Sequence, residues 1–221
     1  MNTKSWAFEF NTFKNYIWDN RWYIAVYTGI FFLIYGAWLF NISPHIDAEV
    51  FINSPYSTYN WLQVGRQGLV LTGFLWGIQW FNPFFSMSFG FAILWGSGLL
   101  FGYLLWRMIR VHSYMTTAFG LLCFVSPIMV EQLYFNLQLF QLAWAYCLCA
   151  LGVGFSYYGI LNKSTAIKVI AVLCMIWSFS SYQIFCILHV ATVVACFRSC
   201  VRWQWTWRWR RSRGRRSWSR R

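Results

Sequence analysis

The chain has 221 residues, 59% of them apolar and 23% aromatic, and only 10% charged, where an average soluble domain is roughly 25% charged. That composition excludes an ordinary soluble domain and fits a membrane protein. The formal charge of +13 is concentrated at one end, because ten arginines lie between Arg198 and Arg221, while residues 1–197 hold eight cations and five acids; the basic balance therefore gives no ground for a nucleic-acid partner.

In chain order, residues 1–21 carry Lys4, Lys14 and Arg21 and are expected to form a cytoplasmic N-terminal segment. The first apolar run, Trp22 to Phe40, is long enough to span a bilayer. It lacks a small-residue cleavage site behind a short apolar core, so it reads as a retained anchor rather than a signal peptide. Asn41 to Gly65 is polar, with Pro44, His45, Asp47, Glu49 and Pro55, and marks where the chain leaves the bilayer. Gly68 to Phe81 is apolar again, but its 14 residues reach only about 21 Å at the helical rise, short of a roughly 30 Å core. This segment predicts an interfacial or re-entrant helix. Further runs follow at Phe84–Trp106, Ser113–Val125, Leu133–Ile160, Ile167–Phe179 and Ile184–Cys196.

Charge gives an independent reading, since cytoplasmic loops carry the excess Lys and Arg. With the N-terminus inside and residues 68–81 not spanning, Arg107, Arg110, Lys163, Lys168 and the Arg-rich end all fall inside. Arg66 is then the exception that faces outward. The expected fold class is all-α: a polytopic membrane protein of about six transmembrane helices, with a short interfacial helix in the first outer loop. Three regions follow, a segment 1–21, a transmembrane domain 22–197 and a basic tail 198–221. The tail's Trp/Arg strip could bind anionic headgroups, or could be a sequence end with no selected role. Six of the seven cysteines fall in or beside apolar runs with no CxxC and no His pair, and all seven read as small hydrophobes.

The polar groups worth weighing are few. Asp47 and Glu49 lie just beyond the first span, where they either keep a wet loop outside or supply a base. Arg66 would snorkel to headgroups or offer its fork of donors to a phosphate. Glu131 opens the Leu133 run, where a carboxylate suits a helix N-terminus or a cavity. Tyr182 and Gln183 could bond between helices or line a site.

The ordered set NISPHIDAEVF, WLQVGRQG, SPIMVEQLYF and SFSSYQIF, following one N-terminal span, resembles the N-terminal part of the bacterial serotype-converting glucosyltransferases of the GT-C superfamily, over roughly residues 20–195. The resemblance implies a multi-pass enzyme of the bacterial cytoplasmic membrane. Such an enzyme moves glucose from a polyprenyl-phosphate carrier, its lipid-linked sugar donor, to a surface glycan acceptor on the outer side. It implies membrane lipids as surroundings, no nucleic acid, no bound cofactor, and leaves a divalent ion open. The acid of the first outer loop is the base in such enzymes, which assigns that role to Asp47 with Glu49 as its nearest alternative. Arg66 matches the Gly-Arg element and is assigned to the donor phosphate, and Glu131, Tyr182 and Gln183 match recurrent positions that line the site. Members of the family are longer, so the chain resembles a truncated member ending in an unrelated Arg/Trp-rich tail. Two other readings compete: a transporter or flippase-like protein without chemistry, which would favour broken helices and acids at mid-membrane, and an inert fragment.

Overall fold

The computed structural model describes residues 3–40, 60–76, 83–126, 129 and 138–194, with side chains from Asn11 onward. Among the described residues every regular element is helical. In chain order they are α1 (Thr3–Asp19), α2 (Arg21–Phe40), α3 (Asn60–Gln63), α4 (Gln67–Leu75), α5 (Pro83–Ile109), α6 (Ser113–Phe124), α7 (Leu139–Leu161), α8 (Thr165–Ser181) and α9 (Ile184–Val194).

Three of these are long and apolar enough to cross a membrane: Arg21–Phe40, Phe84–Ile109 and Leu139–Leu161. A 20-residue helix such as α2 extends about 30 Å, the thickness of the hydrocarbon core. α6, α8 and α9 are shorter apolar helices. The nine residues of α4 rise only about 14 Å, so this stretch forms the short helix expected of it; residues 77–81, the rest of that apolar run, lie outside the described residues. The Leu133 run is described as helix from Leu139 onward.

α7 is the centre of the bundle. It packs most extensively against α8 on one side and α5 on the other, while α2 closes against α6 and α5, and α4 lies over α8 and α7. The buried positions of α7 include Ala143, Ala145, Cys149, Ala150, Gly152 and Gly154, small residues that let neighbouring backbones approach where apolar burial gives no net drive between helices in lipid. The outward faces are apolar: Leu33 is 80% and Leu122 74% exposed, a surface suited to lipid rather than water.

α2 is fixed by its aromatic face. Tyr27, Phe31 and Tyr35 at helical spacing are all buried, and the Tyr35 hydroxyl donates to the carbonyl of Phe124 at the end of α6 at 2.7 Å. Trp95 of α5 donates its indole N–H to Thr28 Oγ1 at 3.1 Å. Tyr27 is held between two glycines. A Cβ on Gly98 of α5 would collide with the Tyr27 hydroxyl, and one on Gly120 of α6 would lie 3.1 Å from the ring's Cε2.

α1 was not foreseen as a helix. Its Phe13 and Tyr16 sit one turn apart and pack near the C-terminal end of α5, with Phe13 5.1 Å from Tyr103 and Tyr16 5.3 Å from Trp106 between ring centroids. The aromatic stripe docks the helix, while Asn11, Lys14 and Asn15 interrupt any apolar run.

Candidate functional site

Antiparallel packing of α7 and α8 brings the start of α7 to the end of α8, and α4 lies across the same end of the bundle. Arg66 reaches that end through a tight turn. Gly65 has φ +77°, the left-handed conformation open to glycine. The Gly65 N–H bonds Leu62 O at 3.2 Å and the Arg66 N–H bonds Trp61 O at 2.9 Å, the paired bonds that close a Schellman turn after α3. This turn sets Arg66 immediately before α4.

The α4 helix is tied down next to it. Trp177 of α8 directs its indole N–H to both Gly68 O (3.2 Å) and Thr72 Oγ1 (2.9 Å), and Gly68 leaves room for Ser180 and Ser181, whose hydroxyls a Cβ there would strike. Ser178 donates to Ala145 O at 2.9 Å, linking α8 to α7 at the same level. Trp76 at the end of α4 meets Trp144 of α7 edge to face at 5.0 Å.

On this platform Arg66 meets Tyr182. The guanidinium carbon lies 4.5 Å from the centroid of the Tyr182 ring, and Nη1 donates to the phenol oxygen at 3.4 Å. The Tyr182 hydroxyl in turn donates to Gln138 Oε1. Burial raises the Tyr182 phenol above its ordinary pKa and the Arg66 charge partly offsets that, so the phenol is neutral at physiological pH. Gln138 is 8% exposed and its carbonyl accepts the Leu142 N–H at 2.8 Å, opening α7. Farther along α7, Gln141 Oε1 and Trp144 Nε1 are buried and find no hydrogen-bond partner among the described residues.

Of the residues singled out from the sequence, Arg66 and Tyr182 thus come together across 116 positions. Gln183 does not join them: its side chain is exposed, and its carbonyl accepts the Cys186 N–H at the start of α9. Asp47, Glu49 and Glu131 lie outside the described residues. Gln138 was missed. The available signal was a cluster of amides, Asn136, Gln138 and Gln141, inside the apolar run from Leu133, and polar groups in a membrane helix are a flag for function.

A partly buried guanidinium held beside a neutral phenol is suited to an oxyanion, because the fork of Arg matches two phosphate oxygens. No curated protein and no solved structure matches the chain. A family model, Glucosyl transferase GtrII, matches residues 36–213, which includes Arg66, Gln138 and Tyr182 and reaches into the Arg/Trp-rich stretch. With its helical, lipid-facing architecture, the chain belongs to the GtrII glucosyltransferase family.

Proposed function

We propose that this protein transfers glucose from a polyprenyl-phosphate carrier to a cell-surface glycan on the outer side of the bacterial cytoplasmic membrane. The observation that carries the reading is the assembly of Arg66, Tyr182 and Gln138 at one bundle end, within a chain of the glucosyltransferase family. With six spans and the N-terminus inside, that end faces outward, and Arg107, Arg110, Lys163 and Lys168 face the cytoplasm.

In the reaction, an acceptor hydroxyl attacks the anomeric carbon of glucose. The new C–O bond forms as the bond from that carbon to the carrier phosphate breaks, and the electron pair leaves on the phosphate oxygen. Asp47 takes the hydroxyl proton, with Glu49 its nearest alternative, a role worth about 10² to 10⁴ in rate. Arg66 offsets the charge that grows on the leaving phosphate. The glucose arrives already activated on its carrier, so the chemistry needs no nucleotide-binding loop. Glu131 is a further site-lining residue of this reading, while Gln183, whose side chain is exposed, takes no part in the step.

The test is glucose transfer from polyprenyl-phosphate-glucose in membranes containing the protein. Transfer is expected, reduced by Arg66→Lys, which keeps the charge and loses the two-pronged fork. Absence of transfer above that of membranes lacking the protein would refute the reading.

A further inference from the structure

We propose that Tyr182 and Gln138 are positioning residues that hold the Arg66 guanidinium through one ring contact and one N–H donor, so that its other donors stand ready for a two-oxygen anion, an inference that rests on the reading of Arg66 as the donor-phosphate ligand. Arginine carries its charge on a long, rotamer-rich stem, and recognition of a phosphate by two parallel bonds requires the planar head to be oriented before the ligand arrives. A carboxylate partner would orient it by taking two donors of the fork at once. The Tyr182 ring takes fewer: its centroid lies 4.5 Å from Cζ, a cation–π contact that itself uses no N–H donor. Of the five donors, one on Nη1 is directed at the phenol oxygen. Among the described residues no other partner takes an Arg66 side-chain donor.

The ring must itself be fixed for this to work, and it is fixed at both ends. The Tyr182 N–H bonds Ser178 O at 3.3 Å and its carbonyl accepts the Phe185 N–H at 3.1 Å, which pins the backbone in the break between α8 and α9. At the far end the phenol hydrogen goes to Gln138 Oε1. The direction of that bond matters. With the hydrogen committed to Gln138, the phenol oxygen turns lone pairs toward Arg66; were the amide reversed, an O–H would point at a cation. Gln138, 8% exposed and rooted in the first turn of α7, therefore sets the polarity of the contact as well as its place. The three members come from the starts of α4 and α7 and the end of α8, so the fork is aligned by the packing of the bundle.

The experiment uses the full chain in lipid nanodiscs and measures binding of polyprenyl phosphate, which involves no glucose transfer, alongside KM and kcat with polyprenyl-phosphate-glucose. Tyr182→Leu should weaken polyprenyl phosphate binding by about 10-fold, the scale of a partly desolvated cation–π contact. Tyr182→Phe and Gln138→Leu, which keep the ring but release it, should weaken it about 3-fold. Donor KM should rise in the same order. The decisive readout is coupling: in an Arg66→Lys background, where no planar fork remains to be aligned, the Tyr182 and Gln138 substitutions should have almost no further effect on binding. Equal losses in both backgrounds would mean that these residues support the fold alone and would overturn the proposal, as would wild-type binding by Tyr182→Leu. Coupled binding without any glucose transfer would uphold the positioning role and refute the glucosyltransfer reading, so the two stand or fall separately.

Discussion

Gly98 and Gly96 sit two residues apart on α5 and give a paired test of how α2 is held. A methyl group at Gly98 would collide with the Tyr27 hydroxyl, with Tyr27 Cζ at 2.9 Å and Phe124 Cδ2 at 3.3 Å behind it. Tyr27 has little room to move, because Gly120 of α6 also lies against the ring and Tyr27 is 3% exposed. At Gly96 the same methyl meets nothing within 4 Å. Both substitutions to alanine gain helix propensity, worth about 1 kcal/mol in water, so this gain cancels in the comparison. What remains is overpacking at Gly98 alone, about 1–3 kcal/mol. Thermal unfolding of the purified protein in one detergent should therefore place Gly98→Ala below Gly96→Ala. Tyr27→Phe should narrow the gap, since it removes the atom nearest the new methyl at the cost of a long 3.4 Å bond to Trp95 O. Equal stability of the two alanine variants, or a gap that Tyr27→Phe leaves unchanged, would refute the packing argument.

Tyr35→Phe should lower stability by about 1 kcal/mol in the same unfolding assay, because it strips the buried Phe124 carbonyl of its 2.7 Å donor. Asp47→Asn in the proposed base should abolish glucose transfer while leaving membrane insertion intact; a variant with near-normal turnover would move the role to Glu49, and activity in both Asp47→Asn and Glu49→Gln would remove it from this loop. For orientation, Ser57→Cys should react with a membrane-impermeant thiol reagent in intact cells and Ser164→Cys should not, with the reverse pattern refuting the six-span arrangement.

The apolar helices were legible because lipid leaves a chain little choice. An apolar run must satisfy its backbone internally, so its bounds can be read from composition: the Trp22–Phe40 run became the long helix Arg21–Phe40, and Ser113–Val125 became the shorter apolar helix Ser113–Phe124. α1 was not legible on that basis, because Phe13 and Tyr16 pack on Tyr103 and Trp106 of a distant helix and the intervening polar residues hide the stripe. Arg66 and Tyr182 were each visible as polar groups at the edges of apolar runs. Their meeting was not, since it depends on how α4 crosses the α7/α8 pair. Gln138 illustrates the same gap: its residue type carried a signal, but its partner is fixed by tertiary packing.

α5 and α7 each end at a cationic residue in the left-handed conformation, Arg110 at φ 56° and Lys163 at φ 51°. Side chains with a Cβ occupy that region at a cost of roughly 1–2 kcal/mol, which glycine would avoid. The Lys163 turn is otherwise fully bonded, with its N–H to Ile160 O at 3.3 Å and the Ser164 N–H to Gly159 O at 3.1 Å, so a glycine could serve it equally well. What a lysine contributes there is charge, and charge acts earliest, when the nascent chain is being threaded and its loops are sorted to one side before any such turn exists. Under the proposed orientation, the Lys163 turn carries a permanent conformational burden in the finished protein in return for a decision made during its insertion.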